Sequence, residues 1–159
     1  QRQMCIRDRS LMGHGNRAYK YWKEAAPATY NDNAEHRCLE PYVYGQFVEG
    51  KDSPYAGRAH VHWLTGTAST VMVGTVEGIL GMRPDAAGLK VDPSISSEWG
   101  SYKINKTFRG KKLHMTFNNP DHVESGVKEI VLNGEKLPSN HIPADKLKDV
   151  NEIVVTLGK

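Results

Sequence analysis

The stretch TASTVMVGTVEGILGMRPDAAGLK, residues 67–90, changes its hydrophobic period part-way along. From Thr67 to Leu80 apolar side chains fall on nearly every side of a helical projection, the pattern of a helix buried on several faces. Within it Gly74 and Gly78 share a face and would let another helix approach closely. Beyond MRPDAAGLK the pattern alternates as strands do, in YKINKTF (102–108), LHMTFN (113–118), VKEIVL (127–132) and NEIVVTL (151–157). Asn133-Gly134 is a strong two-residue hairpin signal between VKEIVL and EKL, and Arg109-Gly110 would turn a second hairpin. The fold class is therefore α+β. A mainly helical part, residues 11–87, gives way near Gly88 to an all-β part, residues 88–159, read as an antiparallel β-sandwich.

Upstream, LMGHGNRAYKYWKEA (11–25) reads as a helix ending near Gly13–Gly15, then a second helix with Ala18, Tyr21, Trp22 and Ala25 on one face. Pro27 closes the second helix, and APATYNDNAEHR is a polar loop. EPYVYGQFVEG is open to short helix or strand, and KDSPYAGRA is a turn-rich connector. Residues 1–10, QRQMCIRDRS, lack a periodic apolar face and read as a non-native or assembly-scar segment outside the fold.

Composition narrows the function classes. The 159 residues are 38% hydrophobic and 25% charged with a formal charge of +3, which describes a globular chain without a concentrated basic face for nucleic acid. No apolar run approaches the roughly 20 residues of a membrane span. Cys5 and Cys38 make neither a disulfide framework nor a metal-ligand pattern, so a cytoplasmic setting is expected.

Several clusters could carry chemistry. Thr65-Gly66-Thr67 precedes the apolar helix, where unsatisfied N–H groups and the helix dipole favour an anion. The alternative is plain N-capping by Thr65 or Thr67. Glu40-Pro41-Tyr42-Val43-Tyr44-Gly45-Gln46 offers a carboxylate, two phenols and an amide, suited to a sugar's hydroxyls and ring face or to a buried turn. His60 and His62 would share a face of a strand, but no third metal ligand is apparent, and no metal is expected. His14, between two glycines, is expected to cap a helix C-terminus. Glu35, Glu40 and Glu49 are the carboxylates that could border a cleft, yet no spacing singles out an acid–base pair.

The blocks GHGNRAYKYW, APATYND, EPYVYGQ, WLTGTAS, EGILGMRPDAAGLKVDPSI and SEW, followed by FRG and NP, occur together in this order. In that arrangement the chain resembles the C-terminal part of the inverting sugar phosphorylases of glycoside hydrolase family 94, which include cellobiose, cellodextrin and diacetylchitobiose phosphorylases. The resemblance implies the last helices of an (α/α)6 barrel followed by a jelly-roll-like sandwich. It implies phosphorolysis of β-glucosidic bonds, here of cello-oligosaccharides, giving α-glucose 1-phosphate; the alternative is another β-linked disaccharide or β-glucan, such as cellobiose, diacetylchitobiose or β-1,2-glucan. Phosphate enters as a substrate, no cofactor is expected, and the parent would be a homodimer.

Carried over to this sequence, the resemblance makes Thr65 and Gly66 phosphate-binding residues and Gln46 a sugar-binding residue. The family's general-acid aspartate and phosphate-binding histidine have no counterpart here, so no catalytic residue is assigned and the fragment is expected to be inactive. A second reading makes the β-part a non-catalytic carbohydrate-binding or scaffolding module presenting Trp99, Tyr102, Phe108 and Phe117.

Overall fold

The computed structural model describes residues 2–158. The chain opens with α1 (Arg2–Leu11) and α2 (Gly15–Ala25). Between them Gly13 takes φ 75°, and the His14 N–H donates to the Arg9 carbonyl at 2.9 Å, closing α1 with a glycine-type C-terminal turn. The His14 carbonyl accepts from Ala18 N–H at 3.0 Å, so the same residue also opens α2. Its expected C-cap role is half of what it does.

Residues 1–10 were expected to be a non-native or assembly-scar segment; from Arg2 onward the backbone is instead helical, with Ile6 and Ser10 turned inward. Ile6 is completely buried, and Ser10 Oγ donates to the Ile6 carbonyl at 2.8 Å. The surface that covers them comes from far along the chain. α4 (Thr67–Val73) continues into a π-helical turn over Gly74–Ile79, where Leu80 N–H reaches the Thr75 carbonyl at 2.8 Å. A Cβ on Gly74 would lie 3.4 Å from Ile6 Cγ2, and one on Gly78 would lie 3.0 Å from Ser10 Cβ. The helix approached through those glycines is α1. Trp22 Nε1 on α2 donates to Thr75 Oγ1 at 2.8 Å and ties the third helix into the group.

After α2 come a 3-10 segment (Pro27–Asn33), the four-residue α3 (Ala34–Arg37), and a hairpin of β1 (Gly45–Val48) and β2 (Ala59–His62). Gly45 pairs with His62 and Phe47 with His60. Leu39, Val43 and Ala59 make a small core beneath this hairpin.

The switch to strands comes at β3 (Met82–Pro84), which pairs with β4 (Gly88–Val91) through Met82 and Val91. The β-part thus begins ahead of the change expected near Gly88. β9 (His141–Pro143) completes a three-stranded sheet in the order β3-β4-β9. The second sheet contains β5 (Ser101–Phe108), β6 (Lys111–Asn118), β7 (Val127–Leu132), β8 (Glu135–Lys136) and β10 (Val150–Leu157). Both hairpin turns form where the dipeptides stand, Phe108 facing Lys111 and Leu132 facing Glu135. Asn133 and Gly134 take φ 50° and 87°, the pair of positive angles such a turn requires.

The expectation of a wholly antiparallel β-part is corrected by β10. The sheet order is β5-β6-β10-β7-β8, and β10 runs parallel to β6 while antiparallel to β7. The last strand returns through β8 and β9 and inserts centrally, where the burial of Ile153, Val155 and Leu157 is greatest. Met82, Leu89, Val91 and Ile142 of the smaller sheet share one core with Leu113, Met115, Phe117, Ile130 and Val155 of the larger. A second core joins Ile6, Ala18, Val71 and Ile79 of the helical part to Ile95 and Leu157 of the β-part. Among the described residues no helix is long and apolar enough to cross a membrane.

Candidate functional site

Chain reversal at the β1–β2 hairpin places the site. Gln46 lies on β1 with its side chain exposed, next to Gly45, whose partner His62 ends β2. Trp63 and Leu64 then lead to Thr65, Gly66 and the first turn of α4. Gly45 and Thr67, the neighbours of Gln46 and Gly66, line one cleft of about 730 Å³ with Tyr44, Arg37, His36, Glu49 and Glu24. Gln46, Thr65 and Gly66 do not themselves line this cleft; only their chain neighbours Gly45 and Thr67 do.

Capping and anion binding are not exclusive at Thr65. Its Oγ1 accepts the Thr67 N–H at 3.1 Å and donates to Thr67 Oγ1 at 2.9 Å, so it holds the first helical N–H from one position ahead of the N-cap residue, which is Gly66. The Gly66 carbonyl takes Thr70 N–H at 3.0 Å and the hydroxyls of Ser69 and Thr70, each at 2.9 Å. A Cβ on Gly66 would meet nothing within 4 Å, which leaves its backbone open to solvent. These bonds fix the first turn with its N-terminal end facing outward, where the helix dipole attracts negative charge.

The histidines do not converge on a metal. His60 Nε2 lies 2.6 Å from Glu49 Oε1, and Glu49 Oε2 also accepts the Ser53 hydroxyl. His62 Nδ1 is 3.6 Å from Glu40 Oε2 on the other side of the hairpin. Each imidazole is drawn to its own carboxylate, and among the described residues no group of three or more candidate ligands comes together. The Ser53 hydroxyl first, and then His60, hold the Glu49 carboxyl below its ordinary value. Glu40 is lowered as well, chiefly by its own backbone N–H, then by the Trp63 indole and His62.

Of the three carboxylates singled out in the sequence, Glu49 reaches the cleft and Glu40 sits beside Trp63, while Glu35 borders a separate surface hollow with Asn31 and Asp32. Sequence reasoning missed Arg37. Its guanidinium stacks over Tyr30 at 5.2 Å, and its Nη1 is enclosed without a hydrogen-bond partner at the cleft. Burial raises the Tyr44 phenol in the same cleft. Tyr44 already stood in the Glu40–Gln46 cluster, whereas Arg37 carries no local signal, because its setting comes from the Tyr30 ring and the cleft wall.

Residues 3–81 match the Glycosyl hydrolase 94 superfamily, catalytic domain. The chain is 40% identical over 147 residues to the N,N'-diacetylchitobiose phosphorylase of Vibrio proteolyticus, and 37% identical over 147 residues to that of Vibrio furnissii. Each alignment covers 92% of this chain and 18% of the relative. It is 33% identical over 139 residues to the cellobionic acid phosphorylase of Neurospora crassa, covering 85% of this chain and 16% of that protein. The chain thus spans under a fifth of the length of these curated relatives. Residues 3–81 thus resemble the catalytic domain of the glycosyl hydrolase 94 superfamily, and the similarity to sugar phosphorylases continues through the β-part.

Proposed function

We propose that the chain is the C-terminal part of an inverting phosphorylase of β-linked disaccharides, its helices closing an (α/α)6 barrel and its β-part forming a jelly-roll-like sandwich. One observation carries this: the alignment to two diacetylchitobiose phosphorylases runs through helical and β parts alike, over 92% of the chain. N,N'-diacetylchitobiose, the substrate in both relatives' names, stands ahead of the cello-oligosaccharides that the sequence blocks suggested. The module reading loses its binding surface, since Phe108 and Phe117 are buried and Trp99 and Tyr102 pack on the second core.

The chemistry follows from what phosphate is. An inverting hydrolase needs a base to activate water, whereas inorganic phosphate is already an anionic nucleophile. A phosphate oxygen bonds to the anomeric carbon as the glycosidic C–O bond breaks, and the leaving oxygen takes a proton from a carboxylic acid. The products are an α-sugar 1-phosphate and a free sugar. The site must then orient phosphate beneath the anomeric carbon, which is the part assigned to Thr65 and Gly66 at the outward end of α4. Gln46 contacts the sugar whose bond is cleaved. No carboxylate of this chain is assigned as the acid, and the 159 residues alone are expected to be inactive. The full-length gene product is taken to be a cytoplasmic homodimer that needs phosphate and no cofactor.

The test is to express the full-length gene product and measure sugar 1-phosphate release from N,N'-diacetylchitobiose, cellobiose and cellotriose with inorganic phosphate. Release from the first ahead of the others supports the proposal. Absence of release from every β-linked disaccharide offered overturns it.

A further inference from the structure

Trp63 is a tryptophan with 67% of its surface exposed, yet several contacts hold it in place. Its backbone takes φ 64°, and Val61 before it takes φ 56°, a left-handed region that bulky and β-branched residues rarely enter. Such strain persists where the surroundings over-determine it, and it concentrates at functional sites. The Tyr42 ring meets the indole edge-on, with centroids 6.2 Å apart and planes at 64°. On the polar side the Glu40 carboxylate faces the indole, and His62 Nδ1 lies 3.6 Å from Glu40 Oε2. Oε2 has no hydrogen-bond partner.

An exposed aromatic ring with an acid and an imidazole at its edge matches a pyranose, which has an apolar C–H face and a rim of hydroxyls. The location adds to this. Two Cα steps separate Trp63 from Thr65, a span of at most about 7.6 Å. We propose that Trp63, braced by Tyr42 and bordered by Glu40 and His62, is a stacking platform for a pyranose ring of the disaccharide, adjoining the Thr65-Gly66 phosphate position and governing sugar rather than phosphate affinity. This rests on the reading of the chain as part of a disaccharide phosphorylase. Tyr42 and Glu40 act as positioning residues.

The test uses the full-length gene product and its Trp63→Ala, Trp63→Phe and Thr65→Val variants, each checked for a wild-type melting profile. Calorimetric titration with N,N'-diacetylchitobiose and with cellobiose, without phosphate, reads sugar binding directly; KM values in phosphorolysis read each substrate in turnover. Trp63→Ala is expected to raise the disaccharide Kd and KM at least about tenfold while phosphate KM stays within about twofold, and Trp63→Phe to recover part of the loss. Thr65→Val should do the reverse. An unchanged disaccharide Kd in Trp63→Ala overturns the platform, and a changed oligomeric state with unchanged Kd would assign Trp63 to a protein contact instead. If the wild type binds disaccharide and loses it on Trp63→Ala but releases no sugar 1-phosphate, the platform stands and the phosphorylase reading falls. If it binds neither disaccharide, the platform falls, while the phosphorylase reading stands or falls on sugar 1-phosphate release.

Discussion

Gly15, the first residue of α2, lies directly against the backbone of Ile95: a Cβ built on the glycine would stand 1.9 Å from the Ile95 carbonyl oxygen. This is where the helical and β parts lock together. Beside it Asn16 N–H donates to Glu124 Oε2 at 2.9 Å, and Asn16 Oδ1 accepts the Ser97 N–H at 2.9 Å. The obstacle to any larger residue is backbone, which cannot rotate away. Gly15→Ala is therefore expected to destabilise the protein by at least about 1–3 kcal/mol, the usual cost of overpacking. Urea denaturation would show a lower midpoint, and an unchanged midpoint would mean that the two parts separate easily.

Asn151 is a buried polar residue with its hydrogen bonds satisfied. Its Nδ2 donates to the carbonyls of Lys148 and Lys112 at 2.7 and 3.2 Å, and its Oδ1 accepts from Lys148 N–H and Asn133 Nδ2 at 2.9 and 3.0 Å. These bonds tie the start of the central strand β10 to β6 and to the Asn133-Gly134 turn. Asn151→Ala would orphan several of them, each buried group left unpaired costing about 1–3 kcal/mol. The expected result is a clearly lowered melting temperature by circular dichroism, and Asn151→Asp should be no milder, because its second carboxyl oxygen would face the two carbonyls that Nδ2 now serves.

The Ser53 hydroxyl and the His60 imidazole on the Glu49 carboxylate give a pH dependence with a definite sign. The folded-state pKa of Glu49 is depressed below its ordinary value of 4.5. The unfolded chain therefore binds the proton more readily, and the contribution is present above 4.5 and lost as pH falls through the folded value. Glu49→Gln should remove this dependence. Denaturation midpoints followed from pH 7 down to pH 3 should fall more steeply for wild type than for the variant; parallel curves would show that these contacts contribute nothing.

Thr65 has a hydroxyl that accepts the Thr67 N–H at the start of α4 and is placed at the proposed phosphate position. Thr65→Ser keeps the hydroxyl and should leave phosphate KM within about threefold in the full-length gene product, whereas Thr65→Val should raise it by about tenfold or more, the scale of one lost hydrogen bond to a charged group. Equal effects of the two substitutions would remove the Thr65 hydroxyl from the phosphate position.

Much of the β-part was legible because its signals are local. Alternation marks β5, β6, β7 and β10, and Asn133-Gly134 marks a turn by backbone chemistry that the dipeptide itself carries. Alternation says which residues of β10 face inward, but it does not name the neighbouring strands, and the parallel pairing with β6 went unread. The site was legible in the same uneven way. Thr65 and Gly66 announced themselves at a helix start, whereas the strained backbone of Trp63 and the enclosed Arg37 left no trace in spacing.

What the sequence by itself determined, then, was the change of period, the faces of the strands and the dipeptides that turn them, since each follows from the torsional and hydrophobic character of a few consecutive residues. Only the tertiary structure decided that residues 2–11 form a packed helix. Their inward face has little beyond Ile6 and Ser10 to declare it, and what buries them is a pair of glycines, Gly74 and Gly78, far along the chain. A close approach of two backbones is a property of both partners, and neither sequence segment records the other.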